Sequence, residues 1–118
     1  MLIYKKEKVE INIGKTKYES RDFIPTINQF IKGIYFLYIE NKESYYISID
    51  NNLEILMQRT ENEKNIECLI NEEKKNIDII SLINEVNKVC ESYFSKHPID
   101  NKKDFKYYKY IEIKKLLK

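Results

Sequence analysis

Alternating apolar and polar positions near the start of the chain predict a β-hairpin. Val9, Ile11 and Ile13 are separated by polar residues, and this period of two turns one side of a strand toward a core and the other toward water. Gly14 follows and permits a tight turn into a second strand over residues 16–19. We therefore expect the chain to begin with two paired strands.

A short helix is predicted next. Asp22 is a suitable N-cap, Pro25 can occupy the first turn, and apolar residues recur at helical spacing over residues 24–31. Gly33 would supply the C-terminal stop. These features predict a helix of about two to three turns.

Four apolar runs separated by polar turns predict an antiparallel meander in the middle of the chain. The runs cover residues 34–40, 45–50, 53–59 and 65–70. Their separators are rich in Asn, which tolerates the positive φ of short hairpin turns. Residues 34–39 are apolar almost throughout and are expected at the centre of the sheet. Leu53, Ile55 and Met57 recur at every second position, with the polar residues Glu54 and Gln58 on the other side, and this alternation indicates a strand with one face in water.

A long helix and a final strand complete the prediction. Apolar residues form one stripe at helical spacing over residues 76–96, and Pro98 ends that pattern. The tail over residues 105–117 is rich in Tyr and Ile, which favour strands, with a helical or frayed end over residues 114–118 as the alternative. The predicted fold class is therefore α+β. An antiparallel sheet would combine the N-terminal hairpin, the four-stranded meander and the C-terminal strand, with the short and the long helix packed mainly on one face.

Composition limits the class of protein. The 118 residues are 42% hydrophobic and 34% charged, a globular composition that fits a single α+β domain over residues 1–118. Residues 34–39 are the longest apolar stretch and are far shorter than the roughly 20 residues of a membrane-spanning helix. Lys5 and Lys6 come too early for a signal peptide. We expect a cytoplasmic protein without a membrane partner, and the heavy use of Ile, Lys and Asn without Ala indicates an AT-rich bacterial or phage genome.

Residues able to carry out chemistry are few. His97 is the sole histidine and lies seven positions from Cys90 in the predicted long helix, a separation of roughly 10 Å that excludes a Cys–His pair there. Cys68 and Cys90 fit no zinc motif and are expected as buried hydrophobic side chains. With two glycines, the chain lacks a phosphate-binding glycine loop. We therefore expect no catalytic residue, metal or cofactor and no enzyme, with a catalytic site assembled from distant residues as the alternative.

Charge is divided unevenly along the chain, whose net charge is +2. Residues 51–100 contain six basic and ten acidic residues, whereas residues 101–118 contain seven basic and two acidic residues. The acidic middle section predicts a surface for a basic protein partner. The residues predicted to form it are Glu61, Glu63, Glu72 and Glu73.

A second candidate surface combines aromatic and basic residues. Its predicted members are Tyr45, Tyr46, Lys106, Tyr108 and Lys109. Adjacent tyrosines in a strand face opposite sides, so at least one of Tyr45 and Tyr46 is expected in water or at an interface. Lysines between aromatic rings suit single-stranded nucleic acid, since ammonium groups contact phosphates and rings stack on bases. A strand with one buried face would show the same pattern, which stays as the alternative.

Two functions are compatible with these surfaces. The first is a small non-catalytic protein that inhibits a protein partner by occlusion. A bacterial toxin-immunity protein, or a phage-encoded inhibitor of a host defence nuclease of the anti-CRISPR type, would act in this way. The alternative is a single-stranded RNA- or DNA-binding module that uses the basic, Tyr-rich C-terminal segment. A homodimer is compatible with either function.

Overall fold

A computed structural model describes residues 1–6, 8–97, 110–113 and 115, which form two antiparallel β-sheets, two helices and shorter helical segments. The first sheet has the order β1-β2-β3 and the second has the order β4-β5-β6-β7. The strands are β1 (Leu2–Lys5), β2 (Lys8–Ile13), β3 (Thr16–Glu19), β4 (Ser44–Ile49), β5 (Leu53–Arg59), β6 (Asn65–Ile70) and β7 (Glu73–Asp78). The helices are α1 (Phe23–Ile34) and α2 (Ile79–Lys96). The predicted α+β class is confirmed.

The first sheet contains the predicted hairpin and one additional strand before it. β2 is central, and its inward side chains Val9, Ile11 and Ile13 are at most 2% exposed. Gly14 has φ +57° in the turn between β2 and β3, a conformation that glycine adopts without steric cost. β1 adds Leu2 opposite Ile11. The first sheet thus has an apolar inner face.

α1 continues past its predicted stop. Gly33 lies inside the helix, and Tyr35–Ile39 extends it as a π-helical segment. The predicted central strand over residues 34–40 is therefore wrong. A run that is apolar throughout has no alternation by which a strand could be distinguished from a helix. Within residues 34–39, Ile34 and Leu37 are both 0% exposed, and the other residues are half-buried.

Gly33 serves close packing instead of helix termination. A Cβ atom at this position would lie 3.1 Å from the Met57 Sδ atom and 3.3 Å from the Tyr45 ring. The missing side chain lets α1 approach β4 and β5 closely. Since Tyr45 and Met57 are opposite each other in the register, this contact fixes which face of the second sheet points inward.

The second sheet is a four-stranded meander, as predicted, but its fourth strand is β7 instead of residues 34–40. Positive φ occurs at Asp50 and Asn51 between β4 and β5, and at Asn71 and Glu72 between β6 and β7. The second of these connections has two residues, both with positive φ, which is the arrangement favoured in tight hairpins. Asn in the separators therefore correctly indicates the turns.

α2 begins at Ile79, three residues later than predicted, because β7 occupies the preceding residues. Its N-cap is Asp78, whose carboxylate accepts the Ser81 N–H at 2.9 Å. The cap therefore marks the change from strand to helix. In the described part of the chain, no helix is long and apolar enough to span a membrane.

The predicted C-terminal strand is replaced by a helical turn at residues 110–113. Tyr110 and Ile113 are both buried, and their separation of three positions suits one face of a helix, whereas a strand face repeats every two. The Tyr110 hydroxyl donates to Asn87 Oδ1 at 2.6 Å and so connects this turn to α2. The other residues of the predicted strand lie outside the described residues, apart from Lys115.

Both sheets and both helices contribute to one cluster of buried side chains. At its edge, Phe23 of α1 stacks on Tyr93 of α2 with ring centroids 4.2 Å apart. Tyr4 of β1 contacts both rings edge-on. Aromatic pairs of this kind contribute about 0.5–1.5 kcal/mol each beyond their buried area. These rings join the first sheet to both helices.

Replacing Asp78 by Ala removes the cap of α2 and leaves the Ser81 N–H without its carboxylate partner. We expect the free energy of unfolding to fall by about 1 kcal/mol, as measured by urea denaturation. Asp78→Ser keeps an oxygen acceptor and should retain most of the stability. Equal stability of Asp78→Ala and the unchanged protein would contradict the capping role.

Candidate functional site

The outward side chains of β4 to β7 form a continuous surface, here called the outer face. Alternate residues of each strand point outward, and none of them is buried. They are Ser44, Tyr46, Ser48, Glu54, Leu56, Gln58, Asn65, Glu67, Leu69, Lys74, Asn76 and Asp78. The inward residues of the same strands belong mainly to the core. The second sheet therefore separates a packed face from an open one.

An apolar row crosses the middle of the outer face. Tyr46 lies opposite Leu56, Leu56 lies opposite Leu69, and Lys74 ends the row. Because neighbouring strands are about 4.8 Å apart, the three apolar residues span roughly 10 Å. Tyr46 is 53% exposed, and both leucines are half-buried. Apolar area is thus left accessible at the centre of the sheet.

Polar side chains border the apolar row on both sides. The register aligns a polar row next to it, formed by Ser44, Gln58, Glu67 and Asn76. On the other side lies Glu54, whose interaction with the Tyr46 hydroxyl is the main cause of the raised pKa of Tyr46. Polar groups therefore flank the apolar row on both sides.

The second sheet is strongly acidic. Residues 44–78 contain eight acidic and four basic residues, a net charge of −4 in a chain whose total is +2. Glu54 and Glu67 lie on the outer face on either side of the apolar row. A basic partner would therefore be attracted to this sheet.

The four acidic residues predicted as one surface lie at two ends of the second sheet. Glu61 and Glu63 are exposed in the loop between β5 and β6, and Glu72 is exposed in the turn between β6 and β7. The six residues of β6 separate these ends by roughly 20 Å. Glu73 has a structural contact, because its Oε1 atom accepts the Lys15 N–H at 3.0 Å. The structure brings the residues together in two pairs and keeps the pairs apart.

Tyr45 and Tyr46 face opposite sides of β4, as the alternation predicts. Tyr45 points inward, where its ring stacks on Phe36 at a centroid distance of 5.2 Å and burial raises its pKa. Of this pair, Tyr46 belongs to the outer face. Outside the described residues lie the other three members of the predicted aromatic and basic surface, Lys106, Tyr108 and Lys109.

Sequence reasoning misses the partners of Tyr46 on the outer face. The alternation along β5 indicates one wet face, but only the register shows that Leu56 stands between Tyr46 and Leu69. β6 gives a weaker signal, because its outward Leu69 is apolar and its inward Cys68 and Ile70 are apolar as well. Strand pairing, and not strand pattern, defines this site.

An ionic group around Glu10 occupies the outward side of the first sheet. The Glu10 side chain is 5% exposed and pairs with Lys5 Nζ at 2.6 Å and Lys17 Nζ at 3.0 Å. The hydrogen bond with Lys5, followed by that with Lys17, lowers the pKa of Glu10. A carboxylate stabilised in its ionised form by two cations is a weak proton acceptor, so this arrangement favours a structural role for Glu10.

The cysteines and the histidine lie in packed surroundings. Cys68 and Cys90 are buried free thiols, as predicted, and burial raises the pKa of Cys68 to about 12. His97 Nδ1 lies 3.2 Å from the Tyr93 carbonyl oxygen, and the two rings stack. Within residues 1–6, 8–97, 110–113 and 115, no group of three or more His, Cys, Asp or Glu residues could hold a metal ion.

No protein-family model, curated protein or solved structure matches this chain. Its function is therefore inferred from its own surfaces. The outer face combines an exposed aromatic ring, apolar side chains and acidic side chains on a hydrogen-bonded sheet. This combination is typical of surfaces that bind other proteins.

The buried thiols should react slowly in the folded protein. With its pKa near 12, Cys68 carries about a thousandfold less thiolate than a thiol at the ordinary value of 9.0, and the thiolate is the reactive form. At pH 8, a chromogenic disulfide reagent should label neither cysteine within seconds in buffer and both in guanidinium chloride. Cys90→Ser assigns any signal to Cys68. Rapid labelling of Cys68 in the folded protein would contradict its burial.

Lys5 and Lys17 should control the titration of Glu10. The Glu10 carboxyl group is expected to titrate below its ordinary value of 4.5, as followed by an NMR pH titration. Lys5→Met combined with Lys17→Met should raise this pKa, while Lys15→Met serves as the control and should not change it. Because a lowered carboxyl pKa stabilises the fold only while the group is ionised, this contribution should be lost as the pH falls through the lowered pKa. An unchanged pKa in the double variant would contradict the ionic group.

Proposed function

We propose that this protein is a non-catalytic binding protein that inhibits a protein partner by covering a basic surface of that partner with the outer face. The observation that carries this proposal is the apolar row of exposed Tyr46 and half-buried Leu56 and Leu69 in a sheet of net charge −4. Apolar area at the centre with polar and charged groups around it is the usual arrangement of a protein interface.

The dimensions of the outer face suit the centre of such an interface. Four strands about 4.8 Å apart, with about 3.3 Å per residue, give a face of roughly 15 by 20 Å. A stable complex buries about 800 Å² on each partner. The outer face would supply the centre of that area, and the loops at residues 60–64 and 71–72 would supply part of its rim.

Tyr46 is the expected anchor of the interface. Tyrosine is enriched among the residues that contribute most to binding energy, since it brings apolar area and a hydroxyl group with few rotatable bonds. The Tyr46 side chain is 53% exposed, so a partner could pack against its ring and bury apolar area.

The acidic charge supports a nuclease as the partner. Proteins that cut nucleic acid present basic surfaces to phosphate groups, and an acidic face with an apolar centre could occupy such a surface in place of the nucleic acid. The partner would be a toxin nuclease neutralised by an immunity protein, or a host defence nuclease blocked by a phage-encoded inhibitor of the anti-CRISPR type. Either role would place this protein in the bacterial cytoplasm.

The test uses two sets of purified nucleases, namely those encoded by the genes that adjoin the gene for this protein and the defence nucleases of the host. Stoichiometric inhibition of one of them, assayed on a fluorescent nucleic-acid substrate, is the expected result. Tyr46→Ala should weaken the complex by about 30-fold, corresponding to loss of an interface anchor worth about 2 kcal/mol. Ile80→Ala is the matched control, because Ile80 is also a large exposed hydrophobic residue, 42% exposed and outside the outer face, and it should leave affinity within about twofold.

Charge reversal tests the electrostatic part of the same proposal. Glu61→Lys combined with Glu67→Lys should slow association about tenfold at low salt, and the effect should shrink at high salt because the charges are screened. Glu40→Lys combined with Glu91→Lys makes the same change in net charge at exposed positions outside the outer face. Inhibition that survives Tyr46→Ala and the first charge reversal would contradict the outer face as the binding surface. Failure to inhibit any nuclease of either set would contradict the inhibitory role.

A further inference from the structure

A basic groove lies beside the first sheet, between the β1–β2 connection and the start of α1. A cavity of about 280 Å³ is lined by Lys6, Lys8 and Arg21, together with Asp22 and the first residues of α1. A neighbouring depression shares Lys6 and Lys8 and adds Lys5 and Glu19. The two depressions adjoin through these shared lysines and are here called the basic groove.

The positive charges of the basic groove are incompletely neutralised. Among the described residues, the Lys6 and Arg21 side chains have neither an ion-pair nor a hydrogen-bond partner, and Lys8 has only Glu19 at 3.7 Å. Lys5 stands directly opposite Lys8 in the pairing of β1 with β2, but its charge is already neutralised by Glu10 at 2.6 Å. The cations left incompletely neutralised are therefore Lys6, Lys8 and Arg21.

The groove also contains negative charge, which limits its affinity for anions. Asp22 lines the cavity, and its carboxylate makes no capping hydrogen bond with α1. Glu7 follows Lys6 in the sequence and lies outside the described residues. Glu19 lines the neighbouring depression. An anionic ligand would therefore be repelled by Asp22 and Glu19 while it is attracted by the three cations of the cavity.

Backbone contacts fix the positions from which the cations extend. The Arg21 N–H donates to Asp50 Oδ2 at 2.8 Å, and the same oxygen accepts the Tyr18 hydroxyl at 2.9 Å. This carboxylate ties the segment before α1 to the second sheet. Lys6 has φ +43° in the tight connection between β1 and β2, a conformation that L-residues other than Asn and Asp rarely adopt.

The aromatic wall of the cavity has little free ring surface. Phe23 is 2% exposed and stacks on Tyr93, whose ring also stacks on His97 at a centroid distance of 4.4 Å. Stacking of a nucleobase requires a free aromatic face. The basic groove therefore offers a ligand positive charge and hydrogen-bond donors, without an evident platform for a base.

We propose that the basic groove binds phosphate groups through Lys6, Lys8 and Arg21. Ammonium and guanidinium groups are the side chains that bind phosphate oxygens, and the guanidinium group can do so with two parallel hydrogen bonds. Phosphate groups of this kind occur in small polyphosphates and along a single-stranded nucleic acid. The basic groove shares no residue with the outer face, so this proposal is independent of the proposed inhibitory function.

Sodium tripolyphosphate at low ionic strength is the probe, and backbone amide shifts in NMR spectra are the readout. The shifts should concentrate at residues 5–8 and 21–24. Lys6→Gln combined with Arg21→Gln should lower the affinity at least about tenfold, since two phosphate contacts are lost. Lys15→Gln combined with Lys42→Gln removes the same charge at exposed positions elsewhere and should change affinity by less than about twofold. Asp22→Asn should increase the affinity.

A short oligodeoxythymidine distinguishes the two sources of phosphate. Tighter binding of the oligonucleotide, lost in the Lys6 and Arg21 double variant, would assign the basic groove to a nucleic-acid backbone. Equal or weaker binding than tripolyphosphate would assign it to small phosphate compounds. Absence of shifts at the groove up to ~10 mM tripolyphosphate, or an equal loss of affinity in the control double variant, would overturn the proposal. Unchanged amide dispersion confirms that the variants are folded.

Discussion

The close approach of α1 to the second sheet at Gly33 determines which surface this protein presents. Tyr45 and Met57 lie against the helix at a position where even a Cβ atom would come within 3.3 Å of them. The alternation of side chains along β4 and β5 then directs Tyr46 and Leu56 outward. A slip of one residue would exchange the two faces and turn Glu54 into the core. The candidate binding surface is thus a consequence of how the core packs.

The elements that follow a simple period are predictable from the sequence, and the elements that do not are missed. β2, β5 and α2 show clear alternation or a clear helical stripe. Residues 34–39 are apolar on all sides, and their pattern fits a buried helix as well as a strand. The sequence does not predict β7 for the opposite reason, because Ile77 is its only apolar residue and a single apolar position shows no alternation. The exposure of Tyr46 follows from its neighbour Tyr45, whereas its row with Leu56 and Leu69 depends on register.

The net charge of +2 conceals an uneven distribution in three dimensions. The second sheet is acidic, and lysines cluster at the β1–β2 end of the first sheet. Some charged side chains have partners within the fold. Glu10 of the first sheet, for example, forms ion pairs with Lys5 and Lys17. Asp50, which follows β4 of the second sheet, accepts the Arg21 N–H and so connects the acidic sheet to the segment that contains Arg21. Charges that have internal partners stabilise the fold, and the incompletely paired ones are available to ligands.

β7 is one edge of the second sheet, and its exposed residues include Lys74 and Lys75. Lysines on an edge strand hinder another strand from pairing with the open main-chain groups, because joining a second chain would bury or crowd their charges. This edge is therefore poorly suited to growth of the sheet into fibres or to recognition of an extended peptide as a fifth strand. A partner that approaches from this edge would have to recognise side chains, which makes recognition there depend on sequence and not on backbone geometry alone.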